Sequence, residues 1–262
     1  MDAKNLYIPD YLEFPPIVSV NPTIEIITLW ASFIALGICL IFAARMCSKL
    51  KTLIPVLFFV AGFCNIVLEP FVDRLGHCIF AGHYMLFETN GHPIPLFAAV
   101  IYSFYFAGVW LIFYPKYLNK SLTGSFIWKV YLGNCVFAFL LEILPLYFGL
   151  WVYYGHQALW LGWPTVPLFW TMLNPVCILT GFTLIMRLHY LLSGWKQILL
   201  IPLSMSGAIM GHIGTGFPYY SVANSSLATT PLIIQLSGVL SIGMGLLIVK
   251  VCVDSLVGVA KK

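Results

Sequence analysis

The sequence contains very little charge. Of its 262 residues only 8% are Asp, Glu, Lys or Arg, whereas 61% are hydrophobic. Soluble domains carry about 25% charged residues, so this composition excludes an ordinary soluble fold and indicates that lipid is the main solvent. The net charge of +4 is not concentrated in a basic cluster interleaved with aromatic residues, so no nucleic-acid partner is predicted.

Several motifs of familiar chemistry are also missing. The chain has no P-loop, no GxSxG nucleophile motif, and neither of the aspartate-rich motifs DDxxD and DxDD. Histidine pairs of the types HxxxH and HExxH do not occur, and the seven cysteines include no CxxC pair. The sequence therefore predicts no disulfide framework and no cofactor.

The hydrophobic residues fall into seven long stretches. Each is close to the length of about 20 residues that crosses a bilayer core as a helix. The chain is therefore predicted to be an all-α, multi-pass integral membrane protein with an extramembrane segment at 1–23, one membrane domain at 24–253 and a tail at 254–262. The stretches are 24–45, 53–72, 95–114, 127–148, 165–187, 196–215 and 231–253.

The basic residues predict the orientation of these helices. All lysines and arginines except Lys4 and Arg74 lie in the connections that follow helices one, three, five and seven, or at the helix ends beside them. Because cytoplasmic loops carry the excess of Lys and Arg, the N-terminus is predicted to be outside or lumenal and the C-terminus cytoplasmic.

The acidic residues inside the apolar stretches point to function. Glu69, Asp73 and Glu142 lie near the outer ends of helices two and four. An ionisable residue within a span costs roughly 2.5–3.5 kcal/mol on insertion scales and usually faces a partner or a cavity. Asn65 and His77 continue the series of Glu69 and Asp73 at steps of four residues, which places all four on one helix face. Glu69, Glu142 and Asp73 are the predicted catalytic residues.

Two segments of the chain, 68–97 and 141–169, resemble each other. Leu68-Glu69 and Gly82-His83 recur as Leu141-Glu142 and Gly155-His156 at an offset of 73, and Pro95-Leu96-Phe97 recurs as Pro167-Leu168-Phe169 at an offset of 72. Both copies run in the same direction, so the sequence predicts a possible parallel repeat rather than an inverted one.

Polar and aromatic residues near the acids are predicted to contact a substrate. Amide, imidazole and indole groups can hydrogen-bond a ligand, and aromatic faces can stabilise a cation. The alternative interpretation is that these groups join helices or form the interfacial aromatic belt. The predicted substrate-binding residues are Asn65, Asn134, Trp170, Asn174, His212, Tyr147 and Trp151.

A metal site is another interpretation of the same region. Asp73 and His77 have ligand spacing on a helix, and His83 and His92 follow them. Loop histidines near aromatic residues are more often interfacial, and the spacing motifs of metalloenzymes are missing, so no metal is predicted.

The chain resembles the small integral-membrane terpene cyclases of meroterpenoid and indole-terpenoid pathways. The resemblance rests on its length, seven short-looped helices and isolated acids such as Glu69 and Glu142 in place of aspartate-rich motifs. It implies a membrane enzyme that protonates an isoprenoid or lipid and guides the carbocation to a cyclised or isomerised product. The alternative is a non-enzymatic lipid-binding, transport or assembly protein with an intramembrane acidic site. The expected partners are a hydrophobic small molecule and membrane lipid; the oligomeric state is left open.

Overall fold

The chain folds as a bundle of long helices. A computed structural model describes residues 14–260, so Lys4, Lys261 and Lys262 of the predicted charge pattern, and most of the predicted N-terminal segment, lie outside the described residues. The helices are α1 (Pro22–Leu50), α2 (Ile54–Asn65), α3 (Glu69–Gly76), α4 (Leu96–Leu118), α5 (Gly124–Tyr147), α6 (Leu168–Arg187), α7 (Leu200–Ala223) and α8 (Pro231–Ala260).

Seven helical segments of the described chain are long and apolar enough to cross a membrane. Helices α2 and α3 count as one of them, Ile54–Gly76, because only the 3-10 turn Ile66–Leu68 separates them. Helix α7 is likewise extended by a preceding 3-10 segment to Gly194–Ala223. The predicted all-α bundle of seven membrane-length helices is confirmed. The side on which each end of the bundle lies stays a prediction from the basic residues.

Prolines and caps mark several helix boundaries. The Asn21 side chain accepts a hydrogen bond from the backbone N–H of Thr23 and caps α1, whose first residue is Pro22. Pro70 lies in the first turn of α3, where the amide hydrogen that it lacks has no helical role. The interruption at Ile66–Leu68 directly precedes this turn, so the backbone beside Glu69 departs from a continuous α-helix.

Four short strands lie at one end of the bundle. The connection between the predicted helices 53–72 and 95–114 is not an irregular loop: it forms β1 (Cys78–Phe80), β2 (Met85–Thr89) and β3 (His92–Pro95). Strands β2 and β3 form a hairpin through Asn90-Gly91, whose positive φ angles of 53° and 74° suit a tight hairpin turn. Strand β4 (Trp151–Tyr153) pairs antiparallel with β1, and Ile79 faces Val152 at the centre of the pair.

We call the half of the bundle that carries the strands the strand half and the other half the packed half. Buried rings fill the packed half: Phe58 lies 5.3 Å from Trp110 and 5.4 Å from Tyr114 between ring centroids, and Phe113 lies 5.4 Å from Phe182. The strand half is packed less completely, because helix α1 contacts mainly α4 and α2, whereas α5 contacts mainly α6 and α8. The cavity described next lies between these two helix groups.

Candidate functional site

The strand half contains a cavity of about 600 Å³. Its volume falls within the range of small-molecule sites, roughly 300–1,000 Å³. Its wall is formed mostly by apolar residues, which come from helices α1, α3, α4, α5, α6 and α7 and from strands β1 and β4. The aromatic members of the wall are Phe80, Phe97, Phe104, Phe106, Phe137, Phe148, Tyr102, Tyr105, Tyr153, Trp151 and Trp170.

One side of the cavity reaches the outer surface of the bundle. Several wall residues on α1 and α5 are strongly exposed, including Ile27 at 58% and Leu144 at 65% of the residue surface. These residues belong to the two helix groups that flank the cavity, so the opening faces sideways, between α1 and α5. In a membrane this direction leads to the acyl chains, and a hydrophobic ligand could pass there without crossing water.

The structure brings most of the predicted site residues to this one cavity. Three acids from two different spans, two indoles, an amide and an imidazole meet on its wall: Glu69, Asp73, Glu142, Trp151, Trp170, Asn174 and His212. Trp170 reaches its place because Gly76 has no side chain; a Cβ there would lie 2.2 Å from the Trp170 ring. The three acids and four of their predicted neighbours therefore lie on one cavity wall.

Three predicted residues lie elsewhere. Asn65 is buried at the end of α2, before the 3-10 turn, and is not part of the cavity wall. Asn134 lines a separate void of only about 10 Å³. Tyr147 follows Glu142 by five residues, which turns it about 140° around α5. Its side chain is 56% exposed and its ring stacks on Trp163 at 5.5 Å, in keeping with an interfacial position.

Glu142 is surrounded by hydrogen-bond donors. Its Oε2 accepts from the Tyr153 hydroxyl at 2.7 Å and from the Trp151 indole at 3.2 Å, and its Oε1 lies 3.5 Å from the donating Asn174 amide. Both strand residues come from β4, which begins shortly after α5 ends at Tyr147. Because the turn between α5 and β4 is short, the side chains of Trp151 and Tyr153 lie next to Glu142 of the preceding helix.

A chain of hydrogen bonds continues from Glu142 into the bundle. The Asn174 Oδ1 lies 3.0 Å from His212 Nε2, and the other ring nitrogen of His212 lies 2.8 Å from the Tyr220 hydroxyl. Because the Asn174 amide donates to Glu142, its oxygen must accept, so His212 carries its hydrogen on Nε2 and Tyr220 donates to Nδ1. His212 and Tyr220 thus hold the Asn174 amide with its nitrogen directed at Glu142.

Glu69 and Asp73 have far fewer donors. The Tyr102 hydroxyl donates to Glu69 Oε2. Asp73 is 1% exposed, and neither of its oxygens has a donor in hydrogen-bonding geometry within the described part of the chain, although the Cys78 thiol lies close enough to interact with the carboxyl. Glu69 is the more accessible of the two, so it is the acid that a ligand in the cavity would meet first.

Two strand residues beside the acids are held in their neutral forms. Burial raises the pKa of the Tyr153 phenol well above its usual range, and the neighbouring Glu142 raises it further. Burial likewise raises the pKa of the Cys78 thiol, with Asp73, Glu69 and Glu142 adding to the shift. Both groups therefore keep their hydrogens at neutral pH, as the hydrogen bond from Tyr153 to Glu142 requires.

A further buried acid, Glu25, serves the fold rather than the cavity. Its carboxylate accepts hydrogen bonds from the backbone N–H groups of His83 and Tyr84 at 2.6 and 2.9 Å. Gly82 permits the approach, since a Cβ there would lie 2.7 Å from the Glu25 oxygen. These hydrogen bonds connect the start of α1 to the segment between β1 and β2. Glu25 is not part of the cavity wall.

The described residues contain no group of three or more His, Cys, Asp or Glu side chains placed to hold a metal ion. His83, one of the histidines weighed as a ligand, instead lies 3.1 Å from the Val20 carbonyl oxygen through its Nε2, and His92 Nδ1 lies 3.2 Å from the Asn90 carbonyl. The geometry of residues 14–260 therefore gives no support to the metal interpretation.

Sequence reasoning did not single out Tyr102, Tyr105 or Tyr153. Tyr153 was visible only as one of many aromatic residues near the outer helix ends. The internal repeat does indicate Tyr102. At the offset of 72, Tyr102 is the equivalent of Asn174, one of the predicted site residues, once the repeat is extended beyond Phe97.

Comparison with known proteins adds nothing to this description: no protein-family model, curated protein or solved structure matches the chain. The function is therefore inferred from the cavity itself.

Proposed function

We propose that this protein is a multi-pass integral membrane enzyme that acts on a hydrophobic isoprenoid or lipid by acid-initiated cyclisation or isomerisation. The observation that carries the proposal is the meeting of Glu69, Asp73 and Glu142 in one apolar, aromatic-walled cavity. Acids are costly inside a span, so three of them at one cavity argue for a role in chemistry or binding. The basic residues favour an outer or lumenal position for the cavity.

The proposed reaction begins with proton transfer from Glu69 to an alkene carbon or an epoxide oxygen of the substrate. The acid becomes a carboxylate and the substrate becomes a carbocation, which rearranges or closes a ring. Loss of a neighbouring proton from the carbocation to the Glu69 carboxylate then gives a neutral product and restores the acid. No oxidant or reductant is consumed. Proton transfer by a positioned side chain typically contributes 10²–10⁴-fold to the rate.

The wall of the cavity suits such an intermediate. Ring faces attract a cation within about 6 Å, and the attraction grows when water is excluded. Phe97, Phe106 and Trp151 are nearly fully buried wall residues, so they offer apolar ring surface beside the acids without bringing water. Glu142, a second acid on the same cavity wall, would supply a compensating negative charge when ionised.

The lateral opening supports a substrate dissolved in the membrane. Exposed wall residues on α1 and α5 are all apolar at the opening, for example Ile27, Leu141 and Leu144. A polar metabolite would have to leave water to reach this opening, whereas an isoprenoid chain would move between similar surroundings. The substrate class is therefore a long apolar molecule with an alkene or epoxide.

A transport role is less well supported. A proton or cation path needs polar groups that connect the two sides of the bundle, yet buried rings such as Phe58, Trp110 and Phe182 occupy the packed half behind the cavity. A lipid-binding protein that catalyses no reaction remains the second candidate, favoured by the largely apolar wall.

Turnover by variants of the acids tests the proposal. Purified protein in lipid nanodiscs would be incubated with a panel of polyprenyl alkenes and epoxides, and products followed by mass spectrometry. Glu69→Gln keeps the shape of the side chain but removes its transferable proton, so turnover should fall about 10²–10⁴-fold. Glu88→Gln makes the same change on strand β2, away from the cavity, and should retain full activity.

Full activity in both Glu69→Gln and Glu142→Gln would rule out the acid-initiated reaction. Saturable binding of a panel member that the wild-type protein never converts would instead favour the lipid-binding role.

A further inference from the structure

The two glutamates of the cavity occupy equivalent places in the two similar segments. Glu69 and Glu142 are separated by the offset of 73 found in the sequence. The strands that follow them, β1 and β4, pair antiparallel, and the central pair Ile79 and Val152 is separated by the same offset. Equivalent residues facing each other across an antiparallel pair are what a local two-fold axis produces. The axis relates the surroundings of one glutamate to those of the other.

One hydrogen bond is preserved by this relation. Tyr102 on α4 donates to Glu69, and Asn174 on α6 donates to Glu142. Tyr102 and Asn174 are separated by 72 residues, the offset that relates Pro95-Leu96-Phe97 to Pro167-Leu168-Phe169. Each glutamate thus accepts a hydrogen bond from the equivalent position of a later helix: α4 for Glu69 and α6 for Glu142.

The other donors are not preserved. Glu142 accepts from Trp151 and Tyr153, whose equivalents beside Glu69 are Cys78 and Phe80. Phe80 has no donor, and the thiol of Cys78 lies beside Asp73 rather than forming a hydrogen bond with Glu69. In the second segment, Glu142 therefore has several hydrogen-bond donors and no aspartate beside it. In the first segment, Glu69 has few donors and lies beside a second acid, Asp73.

This difference separates the two acids chemically. An ionised carboxylate can only accept hydrogen bonds, and a protonated one has a hydrogen to donate. Three donors directed at Glu142 match a carboxylate. A carboxylate is expensive to bury without donors, and beyond the nearby Cys78 thiol the Asp73 oxygens have no donor in hydrogen-bonding geometry in the described part of the chain. A shared proton would relieve this cost for Asp73 and Glu69 together.

We propose that Glu142 is the permanent carboxylate of the cavity and that Glu69, backed by Asp73, is the acid that carries the proton. Trp151, Tyr153 and Asn174 are then positioning residues that keep Glu142 ionised, where it can stabilise a cation. The assignment rests on the proposed function for its chemical meaning, but the protonation states themselves can be measured without a substrate.

Infrared spectroscopy of the protein in lipid nanodiscs at neutral pH provides that measurement, because a protonated carboxylic acid has a carbonyl band that a carboxylate lacks. We expect this band to be lost or shifted in Glu69→Gln and in Asp73→Asn and to be unchanged in Glu142→Gln. Tyr153→Phe removes one donor from Glu142 and should add intensity in the same region. Tyr147→Phe, an exposed tyrosine on α5, is the control and should leave the spectrum unchanged.

Loss of the band in Glu142→Gln together with its retention in Glu69→Gln would overturn the assignment, as would a wild-type spectrum without the band. Circular dichroism and unfolding curves of each variant identify any that have lost the fold, and the conservative Tyr153→Phe keeps the ring in place. If the bands behave as expected but no isoprenoid is converted, the proposed function fails while the assignment stands. If Glu69→Gln abolishes turnover while the band follows Glu142, the assignment fails and the function stands.

Discussion

The two halves of the bundle use the same kinds of residues for opposite purposes. In the packed half, aromatic rings such as Phe58, Trp110 and Phe113 are fully buried against one another, and α6 and α7 approach until Gly181 meets Gly207. In the strand half, aromatic rings surround a cavity of about 600 Å³ instead of filling it. Aromatic content alone therefore does not separate core from site; the separation comes from which helices contact each other.

The three acids of the cavity lie in the strand half. Glu69, Asp73 and Glu142 all belong to the cavity wall, whereas the core of the packed half is composed of hydrophobic residues. An apolar space left empty loses contacts on all sides, so a ligand or lipid chain is expected to occupy the cavity. Stability should therefore depend chiefly on the packed half, and ligand recognition on the strand half.

The largest expected effect is the loss of stability when a phenylalanine is replaced by alanine, which we expect to differ between the two halves. Phe113→Ala removes a fully buried ring from the packed half and should lower the free energy of unfolding by about 3–5 kcal/mol. Phe137→Ala removes a ring that is 49% exposed on the cavity wall, so its cost should be much smaller while ligand binding weakens. Unfolding titrations in detergent measure both. Equal losses of stability would contradict the division into two halves.

The next effect compares two tyrosines of α4 one turn apart. Tyr102→Phe removes the donor to Glu69, and leaving a buried polar group without its partner costs about 1–3 kcal/mol, so this variant should lose stability or activity. The buried Tyr105 hydroxyl has no partner in hydrogen-bonding geometry in the described part of the chain, although the Asn134 side chain lies close enough to interact with it. Tyr105→Phe should therefore cost less stability than Tyr102→Phe. A larger loss for Tyr105→Phe in the same titration would reverse the comparison.

A smaller effect concerns the helix approach in the packed half. A Cβ at Gly207 would lie 2.7 Å from the Gly181 backbone, so Gly207→Ala must push α6 and α7 apart, at about 1–3 kcal/mol. Gly214 lies on the same helix with open space around its Cα, and Gly214→Ala should be neutral or stabilising because alanine favours the helix. Both variants can be compared by thermal unfolding; destabilisation by Gly214→Ala alone would argue against this packing.

The smallest effect is the reactivity of Cys78. Because burial and the nearby acids raise its pKa, very little thiolate is present at neutral pH, and alkylation should be much slower than for the half-buried Cys47. Asp73→Asn removes one of the charges and should accelerate the reaction only a few-fold, since burial is the larger cause. Mass spectrometry of peptides after timed alkylation follows both cysteines. Faster labelling of Cys78 than of Cys47 would contradict this description of its surroundings.

Much of the architecture could be predicted from the sequence because lipid imposes a simple rule. Backbone groups in a bilayer must be hydrogen-bonded internally, so each apolar stretch became a helix, within several residues of its predicted ends. The strands escaped prediction because three- to five-residue segments such as Cys78–Phe80 carry too short a pattern to be recognised, and β1 pairs with a segment far along the chain.

The site was predictable only where charge made residues conspicuous. Glu69, Asp73 and Glu142 stand out against apolar neighbours, and the structure places all three on one cavity wall. Asn65 could not be placed from sequence, because the turn at Ile66–Leu68 breaks the regular spacing after it. Asn134 and Tyr147 could have been set apart from Glu142, because helix geometry places Asn134 about 12 Å away along α5 and Tyr147 about 140° around it. The hydrogen-bond donors from β4 depend on a turn that helix periodicity does not describe.

Photolabelling tests the central claim, that the strand half holds an isoprenoid which enters sideways from the membrane. A diazirine-bearing polyprenol would be photolysed with the protein in nanodiscs, and labelled residues located by mass spectrometry. We predict saturable labelling of cavity-wall residues such as Ile27, Phe137 and Leu141, reduced when Ala138→Trp fills the cavity. Labelling that never saturates, ignores Ala138→Trp and spreads equally to outward residues of α8 such as Leu247 and Val251 would contradict the account.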